Sequence, residues 1–204
     1  DKMKSDIPVT SLQRLPVYLN YLKSLDSDGF ISSGSIARAL GMGEVLVRKD
    51  LAFTSAQGRT RVGYSRTELI AALEDYLGCN DKKKAVIFGA GEVGKALMSY
   101  GGFSNYGIEI VAAFDNDSAK VGRYVGGKPV FDLEEASQKL AELAPRLAVI
   151  CVPASAAQTV ADTLVDCGIK KILNFAPVLL RVPDGVIVRN IDVAANLAIL
   201  SSMI

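Results

Sequence analysis

Apolar positions recur at helical spacing in the first part of the chain and gather into short strand-like runs in the rest. Leu12, Leu15, Leu19 and Leu22 lie three or four residues apart, so 10–25 reads as an amphipathic helix. Pro16 fits its first turn or else kinks it. Asp26-Ser27-Asp28-Gly29 is a turn cluster. Ser35–Leu40 forms a short helix ended by Gly41, Gly43 follows, and a further helix runs over 44–53. Helix, tight glycine turn, helix is the outline of a helix-turn-helix. At about 100° per residue, Leu46, Val47, Leu51 and Phe53 share one arc and are expected to face a core. Asp50 projects on that side and is expected to pair with a neighbouring cation. Val45, Arg48, Lys49 and Ala52 take the other arc, where two cations beside small side chains suit a major groove.

Thr54–Tyr64 contains Gly58 and Gly63 and reads as a hairpin, a period of two placing Arg59 and Arg61 on one face. A basic hairpin after a recognition helix is a wing, whose arginines reach phosphates or a narrow minor groove. Ser65-Arg66-Thr67-Glu68 has capping-box spacing and opens a helix through Leu69, Leu73 and Leu77. Gly78–Lys84 is polar.

From there strands and helices alternate. Strands are expected at 85–88, 109–114, 147–152, 170–175 and 186–189. Helices are expected at 95–100, 132–143 and 154–167, with a last one from Asp192. This alternation predicts a largely parallel sheet covered on both faces. The expected fold is α/β: a winged-helix DNA-binding domain at 1–78, a linker at 79–84, a Rossmann domain at 85–190 and a C-terminal helix at 191–204. No charge interrupts Val193–Ile204. A helix apolar on most sides must be buried, either on its own sheet or, exchanged, in a partner subunit.

Gly89-Ala90-Gly91-Glu92-Val93-Gly94 follows an apolar strand and opens a helix, the setting that a dinucleotide loop requires. Gly89 permits the turn, Gly91 lets backbone approach a pyrophosphate, and Gly94 lets the helix pack on the strand. The helix N-terminus adds free N–H groups and a favourable dipole. Asp115 ends the next strand, where a carboxylate accepts both adenosine ribose hydroxyls and repels the extra phosphate of NADP. The expected cofactor is therefore NAD(H). Asn116 follows it in the loop. Val152-Pro153 and Asn174-Phe175-Ala176-Pro177 lie beyond the carboxyl ends of two further strands and are candidates for the nicotinamide side.

Composition narrows the function. The chain has 204 residues and 50% apolar content, enough for two small cores. It contains no histidine, and its three cysteines, Cys79, Cys151 and Cys167, form no CxxC pair, so a metal site is not expected. Cys151 and Cys167 read as buried packing residues; Cys79, in the polar stretch, is the candidate exposed thiol. Without histidine, the usual proton-transfer group of hydride-transfer enzymes is missing. No apolar run is long enough to span a membrane, and Asp1–Asp6 lacks a signal-peptide pattern, so a cytoplasmic protein is expected. Within 29–66, six cations stand against Glu44 and Asp50, which suggests a polyanion-facing surface.

These pieces together resemble the Rex family of redox-sensing repressors over nearly the whole chain. The resemblance rests on Arg48-Lys49-Asp50-Leu51, Val62-Gly63-Tyr64, the Gly89–Gly94 loop, Phe114-Asp115-Asn116-Asp117, Val121-Gly122 and the run from Gly168 to Pro177. It implies a homodimer that binds double-stranded operator DNA, with NADH as the inducing ligand that releases it. It implies that Tyr100 reaches the partner subunit's nicotinamide pocket, that Asp192 hydrogen-bonds this tyrosine in one state, and that Arg14 competes for the same aspartate in the DNA-binding state. The chain departs from the family in the wing segment Phe53–Gly58 and at Val193, where an aromatic residue is common. A neutral reduced nicotinamide suits an apolar pocket better than the cationic oxidised ring. Two rival readings are an NAD-dependent dehydrogenase with an accessory helix-turn-helix domain, and a thiol switch at Cys79. The first lacks room for a substrate domain and an evident acid–base pair.

Overall fold

A computed structural model describes residues 7–26 and 28–203 and divides them into two units meeting at Asp81/Lys82. The charged run 1–6, Ser27 of the turn cluster and Ile204 of the terminal helix lie outside the described residues.

The first unit contains α1 (Val9–Lys23), β1 (Phe30–Ile31), α2 (Ser33–Leu40), α3 (Glu44–Leu51), β2 (Tyr64–Ser65) and α4 (Arg66–Leu77). Its core joins Leu15, Tyr18, Leu19 and Leu22 of α1 to Ile36, Val47, Leu51, Leu69 and Leu73. Leu12 is 41% exposed and lies outside this stripe. Pro16 falls in the helix interior rather than its first turn, where it removes one backbone donor. Ser32 caps α2 by accepting the Ser35 N–H, and Gly41 ends α2 in the left-handed conformation. Ser65 caps α4 through the Glu68 N–H. β1 and β2 pair antiparallel, Phe30 with Ser65 and Ile31 with Tyr64.

Two expectations for this unit are corrected. Only Val47, Asp50 and Leu51 of α3 are buried; Leu46 is 40% exposed and widens the outward face, and Phe53 is half-buried beyond the helix end. The 54–63 segment is a compact loop rather than a regular hairpin. It closes where Arg59 and Gly63 exchange backbone hydrogen bonds of 2.7 and 2.9 Å. Arg61 adopts a left-handed φ of 64° there, so strand alternation does not apply to the arginines.

The second unit contains β3 (Lys83–Phe88), α5 (Glu92–Ser99), β4 (Ile108–Asp115), β5 (Tyr124–Val125), β6 (Lys128–Asp132), α6 (Ala136–Leu143), β7 (Leu147–Ile150), α7 (Ala154–Asp166), β8 (Lys171–Asn174), β9 (Ile187–Asn190) and α8 (Val193–Ser201). The sheet order is β5-β6-β4-β3-β7-β8-β9. All neighbours are parallel except β5 and β6. With β3 counted as first, the six parallel strands follow the 3-2-1-4-5-6 order of a doubly wound dinucleotide fold. The order reverses between β3 and β7, and sheets of this kind bind ligands beyond the carboxyl ends of the strands at such a point.

β3 begins two residues earlier than expected, so Lys83 and Lys84 pair with β4 instead of belonging to a linker. The expected helix at 132–143 starts later, because Asp132 ends β6 and caps the turn that follows. The β5–β6 pair was not expected at all. One sheet face is covered by α6 and α7, whose Leu140, Ala157, Val160 and Leu164 pack on Val86, Phe88, Phe114 and Ile150. On the other face α5 places Met98 over Ile87, Ala113 and Val130. That face is not fully covered within the chain: an apolar hollow of about 300 Å³ opens over Ala85, Ile110, Leu147, Leu173 and Ile187. Every described residue of α8 is exposed, which the pattern of its sequence argues against in isolation.

Candidate functional site

In the first unit a charge cluster holds α3 in place. The Arg14 guanidinium donates to both Asp50 oxygens, from Nε at 2.6 Å and Nη2 at 2.8 Å, and Tyr18 Oη donates to Asp50 at 2.6 Å. Asp50 is 1% exposed. Burial pulls its carboxyl upward, but Arg14, Tyr18 and Ser11 outweigh burial and hold it below the ordinary range. Burial first, then the hydrogen bond to Asp50, pushes the Tyr18 hydroxyl up to about 12. The Asp50 hydrogen bonds raise the Arg14 pKa above its ordinary value. Arg14, expected to compete for Asp192, is paired here with Asp50 inside its own unit.

This clamp fixes α3 by its inner side and leaves Val45, Leu46, Arg48, Lys49 and Ala52 outward. Beside them a polar cleft of about 460 Å³ is lined by Ser32, Ser33, Arg48, Arg59, Thr60 and Arg61, among others. Arg59 stacks over the Phe30 ring at 5.0 Å, which holds it against β1. Gly63 has φ 99°, and a Cβ there would stand 2.4 Å from the Ile31 carbonyl, so the wing closes tightly on β1. Ser32, Ser33 and Thr60 were not singled out from sequence, although a serine pair at a helix start beside arginines was the available signal. Arg66, counted in the basic excess, faces elsewhere: it donates to the Leu22 and Leu25 carbonyls and to Asp28.

In the second unit the Gly89–Gly94 loop connects β3 to α5. Gly89 has φ 99°, and a Cβ would meet the Cys151 carbonyl at 2.6 Å. A Cβ on Gly94 would lie 1.9 Å from the Gly89 carbonyl. At Gly91 a Cβ would meet nothing within 4 Å, so open space faces the backbone there. No side chain caps α5, which leaves its first N–H groups for an anion. Glu92 and Val93 point outward, Glu92 towards Lys95 at 3.2 Å and Val93 at 49% exposure.

Asp115 is buried at the end of β4. Its Oδ2 accepts the Ala90 N–H at 2.6 Å and its Oδ1 accepts the Asp117 N–H at 2.9 Å. Lys120 Nζ lies 3.4 and 3.3 Å from the two oxygens. Asn116 is exposed beside it. The carboxylate therefore ties the glycine loop to β4, and Lys120, missed in the sequence, stands against it.

The loops after β7 and β8 reach the same carboxyl edge through extended ladders: Cys151 N–H donates to Phe88 and Phe175 N–H to Ile150, at 2.7 and 2.9 Å. Val152 and Phe175 are half-buried, Ala176 is buried, and Pro153 and Pro177 are exposed. Asn174 is fully buried. Its Nδ2 reaches the Ala176 and Val178 carbonyls and Asn190, and its Oδ1 accepts the Ala176 N–H. With its polar atoms used by the protein, Asn174 shapes this loop rather than touching a ligand. Burial pushes the Cys151 thiol up to about 12; Cys151, Cys167 and Cys79 are all partly buried. Tyr100 is 62% exposed and packs edge-on to Phe103, and Asp192 caps α8 by accepting the Ala195 N–H at 2.8 Å. Arg14, Tyr100 and Asp192 thus each engage other partners within one chain. Among the described residues no cluster could hold a metal ion, and no helix is long and apolar enough to cross a membrane.

An outward recognition helix with a basic wing, carried on one chain with a dinucleotide cradle, defines a DNA-binding regulator governed by a nucleotide cofactor. Two family models match: "Putative DNA-binding protein N-terminus" over 6–52 and "CoA binding domain" over 80–178. The redox-sensing transcriptional repressor Rex of Desulforamulus reducens is 42% identical over 96% of this chain and 94% of its own length. That of Bacteroides fragilis is 39% identical over 98% and 91%. The crystal structure of RSP with β-NAD+ and operator DNA matches at TM-score 0.92 and 31% identity, covering 98% of this chain and 93% of that one. The structure of RSP with β-NADH matches at 0.87, with 31% identity over 98% and 94%. The chain belongs to the Rex family of redox-sensing transcriptional repressors. Its relatives are named redox-sensing transcriptional repressors.

Proposed function

We propose that the chain works in the cytoplasm as a homodimer that binds operator DNA through α3 and the wing, and releases it when NADH fills the Gly89–Gly94 site. One observation carries this reading: a loop shaped by Gly89 and Gly94 lies on the same chain as an outward cationic helix. Val45, Arg48, Lys49 and Ala52 would meet the major groove, with Arg59 and Arg61 near phosphates. Gly91 and the start of α5 would hold the pyrophosphate and Asp115 the adenosine ribose. Val152-Pro153 and Phe175-Ala176-Pro177 would flank the nicotinamide, with Tyr100 supplied by the partner subunit. α8 would cross into that partner, which accounts for its exposed apolar side chains and for the open hollow on the sheet.

The bound dinucleotide supplies a ring whose charge differs between its two redox forms. A ligand shifts an equilibrium only by binding one state more tightly. The half-buried Val152 and Phe175 favour the neutral reduced ring over the cation. The test is an operator gel shift titrated with NADH and with NAD+. Release by NADH at concentrations where NAD+ leaves the complex intact is expected, and equal release by both overturns the reading.

A further inference from the structure

We propose that Lys120 sets the choice between phosphorylated and unphosphorylated dinucleotide together with Asp115. This rests on the reading that the glycine loop binds NAD(H). A carboxylate offers about four lone-pair sites. In Asp115 one oxygen is engaged by the Ala90 amide and the other by the Asp117 amide, and Lys120 faces both oxygens. The same ammonium lies 3.3 Å from Asp117 Oδ2. Lys120 thus stands beside the lone pairs of Asp115 that remain for a ribose.

An ammonium carries three donors, so Lys120 can remain beside Asp115 and still donate outward. A ribose hydroxyl is neutral and gains little from that cation. A 2′-phosphate is repelled by Asp115 and Asp117 and attracted by Lys120, and selectivity is the difference of those effects. Glu92 and Lys95 form a neighbouring pair, and the Lys95 charge also reaches Asp117. Asp115 and Lys120 therefore act in opposition: the carboxylate enforces preference for the unphosphorylated dinucleotide, and the lysine moderates it. With the carboxylate neutralised, Lys120 becomes a phosphate ligand.

The test titrates NADH and NADPH, followed by nicotinamide fluorescence and by competition for weak binding. It uses the full chain as wild type, Lys120→Ala, Asp115→Asn and the double variant, each checked by thermal melting. Lys120→Ala is expected to cost NADPH about three- to fivefold more affinity than NADH at low salt. Asp115→Asn is expected to bring the two dinucleotides closer, and Lys120→Ala on that background to separate them again. Lys120 is partly exposed and removing it spares the core, so the single variant decides the matter should Asp115→Asn fold poorly. Equal changes for both dinucleotides on losing Lys120 would make it a structural residue and overturn the proposal. A wild type that binds neither dinucleotide would instead sink the underlying reading.

Discussion

Asp50 shows how one residue connects folding to recognition. It lies on the helix that carries Arg48 and Lys49, yet it is buried and tied to Arg14 and Tyr18 of α1. Arg14→Ala leaves that carboxylate buried without its cation, held only by hydroxyl donors, and should cost about 3 kcal/mol of stability at neutral pH. The same pairing makes stability pH-dependent at both ends. The Asp50 pKa is depressed, so its contribution is present above the unfolded value of about 3.9 and is lost as the pH falls below it. The Tyr18 pKa is raised to about 12, so its contribution is present below about 10 and is lost as the pH rises towards 12. Urea unfolding across pH checks both limbs. Asp50→Asn should flatten the acid limb, and an Arg14→Ala protein as stable as wild type at pH 7 would refute the clamp. The clamp was half legible: the wheel placed Asp50 inward beside a cation, but its partner stands 36 residues away, beyond any local spacing rule.

At the scale of elements, regular periodicity was readable and short irregular segments were not. The glycine loop declared itself because its conformational demands are local: Gly89 and Gly94 each exclude a Cβ. The β5–β6 pair escaped because its strands are short and Pro129 interrupts the apolar run, although Gly126-Gly127 marked the turn. Arg59 and Arg61 were given strand alternation that a loop with a left-handed residue cannot keep. Asn174 looked like a ligand contact until its surroundings showed its polar atoms already occupied. The outward face of α3 carries its own prediction. Lys49→Ala should weaken operator binding and reduce the slope of log affinity against log salt by about 0.9, the signature of one lost phosphate contact. Fluorescence anisotropy on operator DNA over a salt series measures it. An unchanged slope would remove Lys49 from the phosphate interface and leave it as a solvated cation.

For the whole molecule, α8 is the element whose environment the single chain does not supply. Val193, Leu197 and Leu200 form one stripe at helical spacing, 60–64% exposed, and the hollow over Ile110 and Leu173 is apolar as well. Burial of such side chains stabilises by roughly 1.5–3 kcal/mol each. If α8 docks on a second copy, Leu197→Asp with Leu200→Asp should give a monomer by sedimentation velocity. Operator affinity should fall steeply, because two linked half-site contacts become one. A stable dimer in that variant would place the interface elsewhere. The sequence made the need for burial plain through its uncharged tail, but no pattern within one chain identifies the surface that meets it.

The Cys151 thiol lies in the backbone turn against which Gly89 closes, and burial keeps its pKa near 12. Thiolates, not thiols, react with peroxides and alkylating agents. At physiological pH this sulfur is therefore expected to stay protonated, although it lies beside the loop proposed to hold the dinucleotide. Peroxide is accordingly expected to react slowly at this sulfur, and NADH titrations before and after peroxide treatment check it.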